Sequence, residues 1–154
     1  MKLSKIEEQA LRLSLSLARA GGEAGLTELA EREGLSTALA AKVLGMLKRG
    51  GVVRAVRGRN GGYALTVGPE EISLASVVLS TSPVVLQTCA NLGVTECQES
   101  CPHVGGCGLR AMLEVFGDRL ASALERLSLA DLLDEEPKVR AVVDRAWVAE
   151  SGGA

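Results

Sequence analysis

The chain has 154 residues, of which 47% are hydrophobic, 23% charged and only 2% aromatic. A chain of that length buries about two-thirds of its unfolded surface as one domain, which excludes disorder and collagen-like repetition and demands an aliphatic core. The net charge of −2 conceals a division: residues 34–69 carry six basic groups and no acid, whereas residues 70–154 carry six basic against thirteen acidic groups. Such asymmetry points to a local site for a polyanion. The longest uncharged stretch, Ile72 to Thr95, is broken by Ser73, Ser76, Ser80, Thr81, Ser82, Pro83, Gln87 and Asn91. No membrane span is expected from it. Glu7 and Glu8 closely follow Lys5 with no apolar run of the secretory kind, so the expected compartment is the reducing cytoplasm and the four cysteines are not expected to be disulfides.

Ser4 followed by Glu7 forms a capping-box pattern, and Ile6, Ala10, Leu13, Leu17 and Ala20 then share one face, predicting a helix to about Ala20 that Gly21 and Gly22 end. Thr27 is the expected cap of a short helix through Leu29, Ala30 and Glu33, which Gly34 stops. Ser36 caps a second helix through Leu39, Val43, Leu44 and Leu47. Two helices joined so tightly match a helix-turn-helix, whose second helix enters the DNA major groove. Val52–Val56 and Tyr63–Val67 then read as strands around the basic, glycine-rich tip Arg57-Gly58-Arg59-Asn60-Gly61-Gly62, completing a winged helix. Ser73 opens a helix to about Ser80. Residues 83–107 show no period and contain all four cysteines, so something other than a core must order them.

From Gly108 a long helix is predicted, with Leu109, Met112, Leu113, Phe116, Leu120, Ala123, Leu124 and Leu127 in one apolar stripe. A stripe of that length needs a partner: the core of the winged helix can cover part of it, and a homodimer seam covers it more naturally. A further turn is expected over Ser128–Leu133 and a short helix over Pro137–Trp147. The expected organisation is mainly α with a small β-hairpin wing: 1–80 a winged helix-turn-helix, 81–107 a cysteine-bearing loop, 108–133 a dimerisation helix and 134–154 a tail.

The basic span points to double-stranded DNA. Lys42 and Lys48 on the second helix and Arg57 and Arg59 on the wing are suited to phosphates, with Asn60 and Gly61 at the wing tip beside them. Ser36, Thr37 and Lys42 lie where a recognition helix meets base edges. The bland alternative is a solvated basic face. Cys89, Cys97, Cys101 and Cys107 are separated by seven, three and five residues. Thiolates in a loop that cannot order itself suit an iron-sulfur cluster or zinc, and the lack of a CxxC pair argues against a zinc ribbon. Four unrelated thiols are the alternative. His103 reads as an ordinary loop histidine, with a ligand role the alternative. With no glycine-rich phosphate loop, nucleophile-base pair or paired carboxylates, no catalysis is expected.

Met1-Lys2-Leu3-Ser4, Ala10-Leu11-Arg12, Leu29-Ala30-Glu31, Val56-Arg57-Gly58, Gly61-Gly62-Tyr63, Ile72-Ser73-Leu74 and Leu129-Ala130-Asp131-Leu132-Leu133 together resemble the IscR and NsrR family of bacterial winged-helix regulators, over about residues 1–133. The resemblance implies a homodimeric transcription regulator, most simply a repressor, whose iron-sulfur cluster senses nitric oxide, redox state or iron-sulfur status. The five residues between Cys101 and Cys107 resemble the nitric oxide-sensing branch, and Cys89 falls where its first cysteine would. The Cys-x3-Cys step made by Cys97 is similar to a redox-sensing branch. Where the biogenesis regulators place a histidine this chain has Arg110, which cannot serve as an ordinary ligand. The fourth ligand implied is therefore Glu8 from the partner subunit's first helix, or Cys97 instead. Three or four thiolates favour 4Fe-4S, with 2Fe-2S the alternative. Where many relatives carry Tyr-Leu-Glu on the recognition helix, this chain has Leu39-Ala40-Ala41. The competing reading is a cluster-free thiol-switch regulator, or a protein-interaction scaffold, on the same fold.

Overall fold

The computed structural model describes residues 4–58, 61–81 and 108–148, the side chains of Arg110, Leu113 and Glu114 apart. The four cysteines, His103, Arg59 and Asn60 lie outside the described residues.

Helix α1 (Lys5–Arg19) starts with the reciprocal cap that the sequence announces: Ser4 Oγ accepts from Glu7 N at 3.3 Å, and Ser4 N donates to Glu7 Oε2 at 2.7 Å. Glu7 is thereby buried while still satisfied. Helix α2 (Leu26–Glu33) departs from expectation. Its N-cap is Gly25, with no side-chain bond, and Thr27 lies inside the first turn. The reason is upstream: Glu23–Gly25 form a strand, β1, that delivers the chain to the helix already extended. Three residues with no alternation gave no strand signal, and pairing with a distant partner makes the strand.

The turn from α2 to α3 (Thr37–Arg49) is closed at Gly34, where φ is +64° and Leu35 N donates back to Ala30 O at 2.8 Å. A left-handed residue there favours glycine. Ser36 caps α3 as expected, accepting from Leu39 N at 3.3 Å. The wing strands β2 (Val53–Val56) and β3 (Gly62–Leu65) are antiparallel, and β1 adds to the other edge of β3, giving the order β1-β3-β2. In register, Arg54 and Glu23 flank Ala64 from opposite sides. Gly62 is required by β1: a Cβ there would collide with the carbonyl of Ala24. Thr66 Oγ1 ties the sheet to the α3 exit by donating to Gly51 O at 2.7 Å.

Helix α4 (Leu74–Thr81) packs on α1 and α3, and helix α5 (Gly108–Arg126) packs on α4. Leu13, Leu17, Leu29, Val43, Leu44 and Leu47 form the centre of the core, all fully buried. The end of α5 is pinned to this head. Leu74 N donates to Leu127 O at 2.8 Å and Leu129 N to Ile72 O at 2.9 Å, around the isolated bridge Ser73–Ser128. A single 3₁₀ turn (Ala130–Leu132) leads to helix α6 (Glu136–Val148), which packs on α5.

The stripe on α5 divides in two. Ala123 and Leu127 are buried, whereas Leu109, Met112, Val115 and Phe116 are exposed, Leu109 by 61% and Phe116 by 56%. Only the second half serves the head's own core.

Candidate nucleic-acid interface

The helix-turn-helix and the wing bring most of the expected contact residues onto one unit. Ser36, Thr37, Lys42, Lys48, Arg57 and Gly61 are all exposed. Ser36 is already committed to its cap, so Thr37 is the free hydroxyl at the start of α3. Lys48 lies in the last turn of α3 together with Arg49. At the wing, Gly61 N donates to Gly58 O at 2.9 Å, drawing the two ends of the tip together. Arg59 and Asn60, expected there, lie outside the described residues.

The cations of this face are unpaired, whereas several elsewhere in the chain have acid partners. Arg12 pairs with Glu33 at 2.9 Å and more loosely with Glu8 at 3.8 Å, and Lys138 and Arg140 pair with Asp134 and Glu136. Lys42, Lys48, Arg49, Arg54 and Arg57 make no ion pair with any described residue. The cause is compositional, since residues 34–69 contain no acid. Unneutralised cations around a projecting helix and a hairpin provide the charge density that a phosphate backbone releases its counterions to meet. Asp134 shows the opposite situation: the hydrogen bond from Lys138 Nζ, then that from Glu135 N, holds its carboxyl below the usual carboxylate range.

The outward side of α3 is sparsely furnished. Ala38 is exposed, Ala41 and Gly45 are half-buried, and Lys42 is the one charge in the first two turns. Gly45 was not singled out by sequence pattern. An interior helical glycine costs roughly 0.5–1 kcal/mol relative to alanine.

Of the candidate metal ligands, only Glu8 is described. It lies on the first turn of α1 with its side chain 59% exposed, in contrast to the buried Glu7 beside it. Its carboxylate is accessible to a second body, which fits the role of an oxygen ligand supplied across an interface. Among the described residues no three His, Cys, Asp or Glu side chains gather as a metal site, and no helix is long and apolar enough to cross a membrane.

A capped helix-turn-helix, a three-stranded sheet with a basic hairpin and an unpaired set of cations define a winged-helix DNA-binding protein of the transcription-regulator class. Comparison with known proteins makes the assignment narrower. The model of the Rrf2 family, described as an iron-dependent transcriptional regulator, matches residues 3–135, and the chain belongs to that family. It is 32% identical over 144 residues to Protein aau3 of Rhizobium meliloti (strain 1021), covering 90% of this chain and 89% of the relative. It is 28% identical over 135 residues to the HTH-type transcriptional regulator IscR of Aliivibrio salmonicida (strain LFI1238), covering 86% and 76%. Its fold is similar to that of CymR (YrzC), the global cysteine regulator of B. subtilis, with a TM-score of 0.70 at 20% identity over 86% of this chain and 96% of that one. The protein is thus a DNA-binding transcriptional regulator and not an enzyme.

Proposed function

We propose that the protein is a cytoplasmic homodimer that represses transcription by binding an operator, and that an iron-sulfur cluster held by Cys89, Cys101 and Cys107 sets its DNA affinity. Glu8 of the partner subunit or this chain's Cys97 completes the ligand set, and 4Fe-4S is the favoured cluster, with 2Fe-2S the alternative. The observations that carry the regulator's architecture are the unpaired cations on α3 and the wing and an α5 that leaves Leu109, Met112, Val115 and Phe116 exposed. A second copy covers that apolar face. The cysteines in one span, the likeness to IscR and the accessible Glu8 support the cluster.

The cluster would supply a centre that nitric oxide, oxidants or iron-sulfur shortage can alter. The chain's own residues carry the consequence. The cysteine span joins α4 to α5, and both are attached to the head: α5 through the Ser73–Ser128 bridge, α4 through a close contact of Ser80 with Gly50 at the end of α3. A change in the span biases the placement of the two recognition helices, a population shift whose size is the differential affinity of the two states.

A second reading, in line with the CymR likeness, keeps the same fold and uses the cysteines as a thiol switch. Anaerobic purification with iron and sulfide assays separates the two. A coloured protein containing both elements supports the cluster. A colourless protein whose cysteines form reversible disulfides supports the switch and refutes the cluster.

A further inference from the structure

The recognition helix turns outward a face almost free of hydrogen-bonding side chains. Between Thr37 and Gly45 there is no Arg, Asn, Gln, Asp or Glu, the residues that make two-point contacts with guanine, adenine or cytosine edges. Ser36 already accepts from Leu39 N. What the face carries is methyl groups, on Ala38, Ala41 and Thr37. Groups of this size pack against the 5-methyl of thymine, the apolar feature of the major groove.

Gly45 is an independent observation. Glycine is unfavourable inside a helix, yet nothing in this fold asks for one: its φ is not positive, and apart from the helix's own backbone a Cβ there would meet nothing nearer than Arg49 Nη1 at 4.0 Å. The open space lies on the outward side, one turn after Ala41 and two after Ala38. A helix bare at that point can approach another body more closely than an alanine would allow.

We propose that α3 recognises its operator chiefly through thymine 5-methyl groups packed against Ala38 and Ala41, and that Gly45 is kept bare so that the helix seats deeply in the major groove. The inference rests on DNA reading by α3 and names the class of sequence it takes, half-sites rich in thymine, with Lys42 adding a hydrogen bond to one guanine. Alkyl contacts replace the polar readout that Arg, Asn, Gln or Glu would provide.

The test uses the full-length chain, purified anaerobically, in whichever metal state binds DNA more tightly. Sequences are selected from a random duplex library, and the best operator is remade with deoxyuridine in place of thymine, which removes only the methyl. Each contacted thymine replaced is expected to weaken binding about fourfold, the factor that burial of one methyl-sized group contributes. Gly45→Ala is expected to bind that operator several-fold more weakly while its thermal midpoint rises, a combination that misfolding cannot produce. An operator indifferent to deoxyuridine, or a Gly45→Ala variant that binds as tightly as the native chain, overturns the inference alone. A chain that selects no sequence refutes DNA reading by α3 itself, and the inference with it.

Discussion

The winged head and the helical arm leave different things exposed. In the head, aliphatic residues are consumed by the core, and Lys42, Lys48, Arg49, Arg54 and Arg57 are left without an ion pair among the described residues. In α6 of the arm, Lys138 and Arg140 are paired with acids one turn away, and α5 and α6 leave apolar surface exposed, on Leu109, Met112, Phe116, Val143 and Trp147. Each region advertises the chemistry of its partner: a polyanion for one, a second hydrophobic face for the other. The −2 total charge hides the basic stretch because the excess of acids over residues 70–154 offsets it.

Substitutions can break the contrast at either end. The largest effect is expected in the head's core, where Leu47→Ala should cost about 2–5 kcal/mol in a denaturant titration, because its side chain is fully buried between the helix-turn-helix and the sheet. Met112→Ser with Phe116→Ser should leave helix content by circular dichroism near native yet shift sedimentation from dimer to monomer. A dimer that persists unchanged contradicts the α5 seam. Arg57→Ala should weaken binding to every DNA sequence and lower the slope of log affinity against log salt by about 1, whereas an unchanged slope would remove the wing from the interface.

Smaller effects probe finer features. Ser14 Oγ is buried with no hydrogen-bond partner, so Ser14→Ala should stabilise the fold by up to about 1–3 kcal/mol, the desolvation penalty of an unsatisfied group. The least effect is expected at Asp134. Its folded-state pKa is lowered, so its contribution is present above the unfolded carboxyl value and lost as pH falls through the folded one. Its side chain is exposed to solvent, so Asp134→Asn should lower the thermal midpoint only slightly at neutral pH, and the difference should vanish in acid.

Much of this division was legible in the sequence. Local signals with a single physical meaning gave the right structure: the Ser4–Glu7 box, the Ser36 cap and Gly34 depend on neighbours within one turn. Signals that depend on distant partners did not. Strand β1 exists because Glu23–Gly25 meets Gly62–Ala64, about forty residues away in the chain, and its presence moved the α2 cap from Thr27 to Gly25. The α5 stripe was visible as a stripe, but 3.6-residue periodicity is the same whether a residue faces its own core, as Leu127 does, or an outside partner, as Phe116 does. For the site, residue type and charge placed Lys42, Lys48 and Arg57 on the head. Gly45 was missed because a glycine's meaning lies in what its missing side chain would touch, which only coordinates reveal.

If a cluster in the cysteine span governs the affinity of the cationic head for DNA, cluster and affinity must change together. The most direct measurement follows visible absorbance and operator affinity together while anaerobic protein is titrated with nitric oxide. Absorbance is expected to bleach and operator affinity to fall in the same stoichiometric range, by roughly tenfold or more, matching a coupling free energy above about 1.4 kcal/mol. Affinity that stays constant through complete bleaching, or protein that contains neither iron nor sulfide, would contradict it.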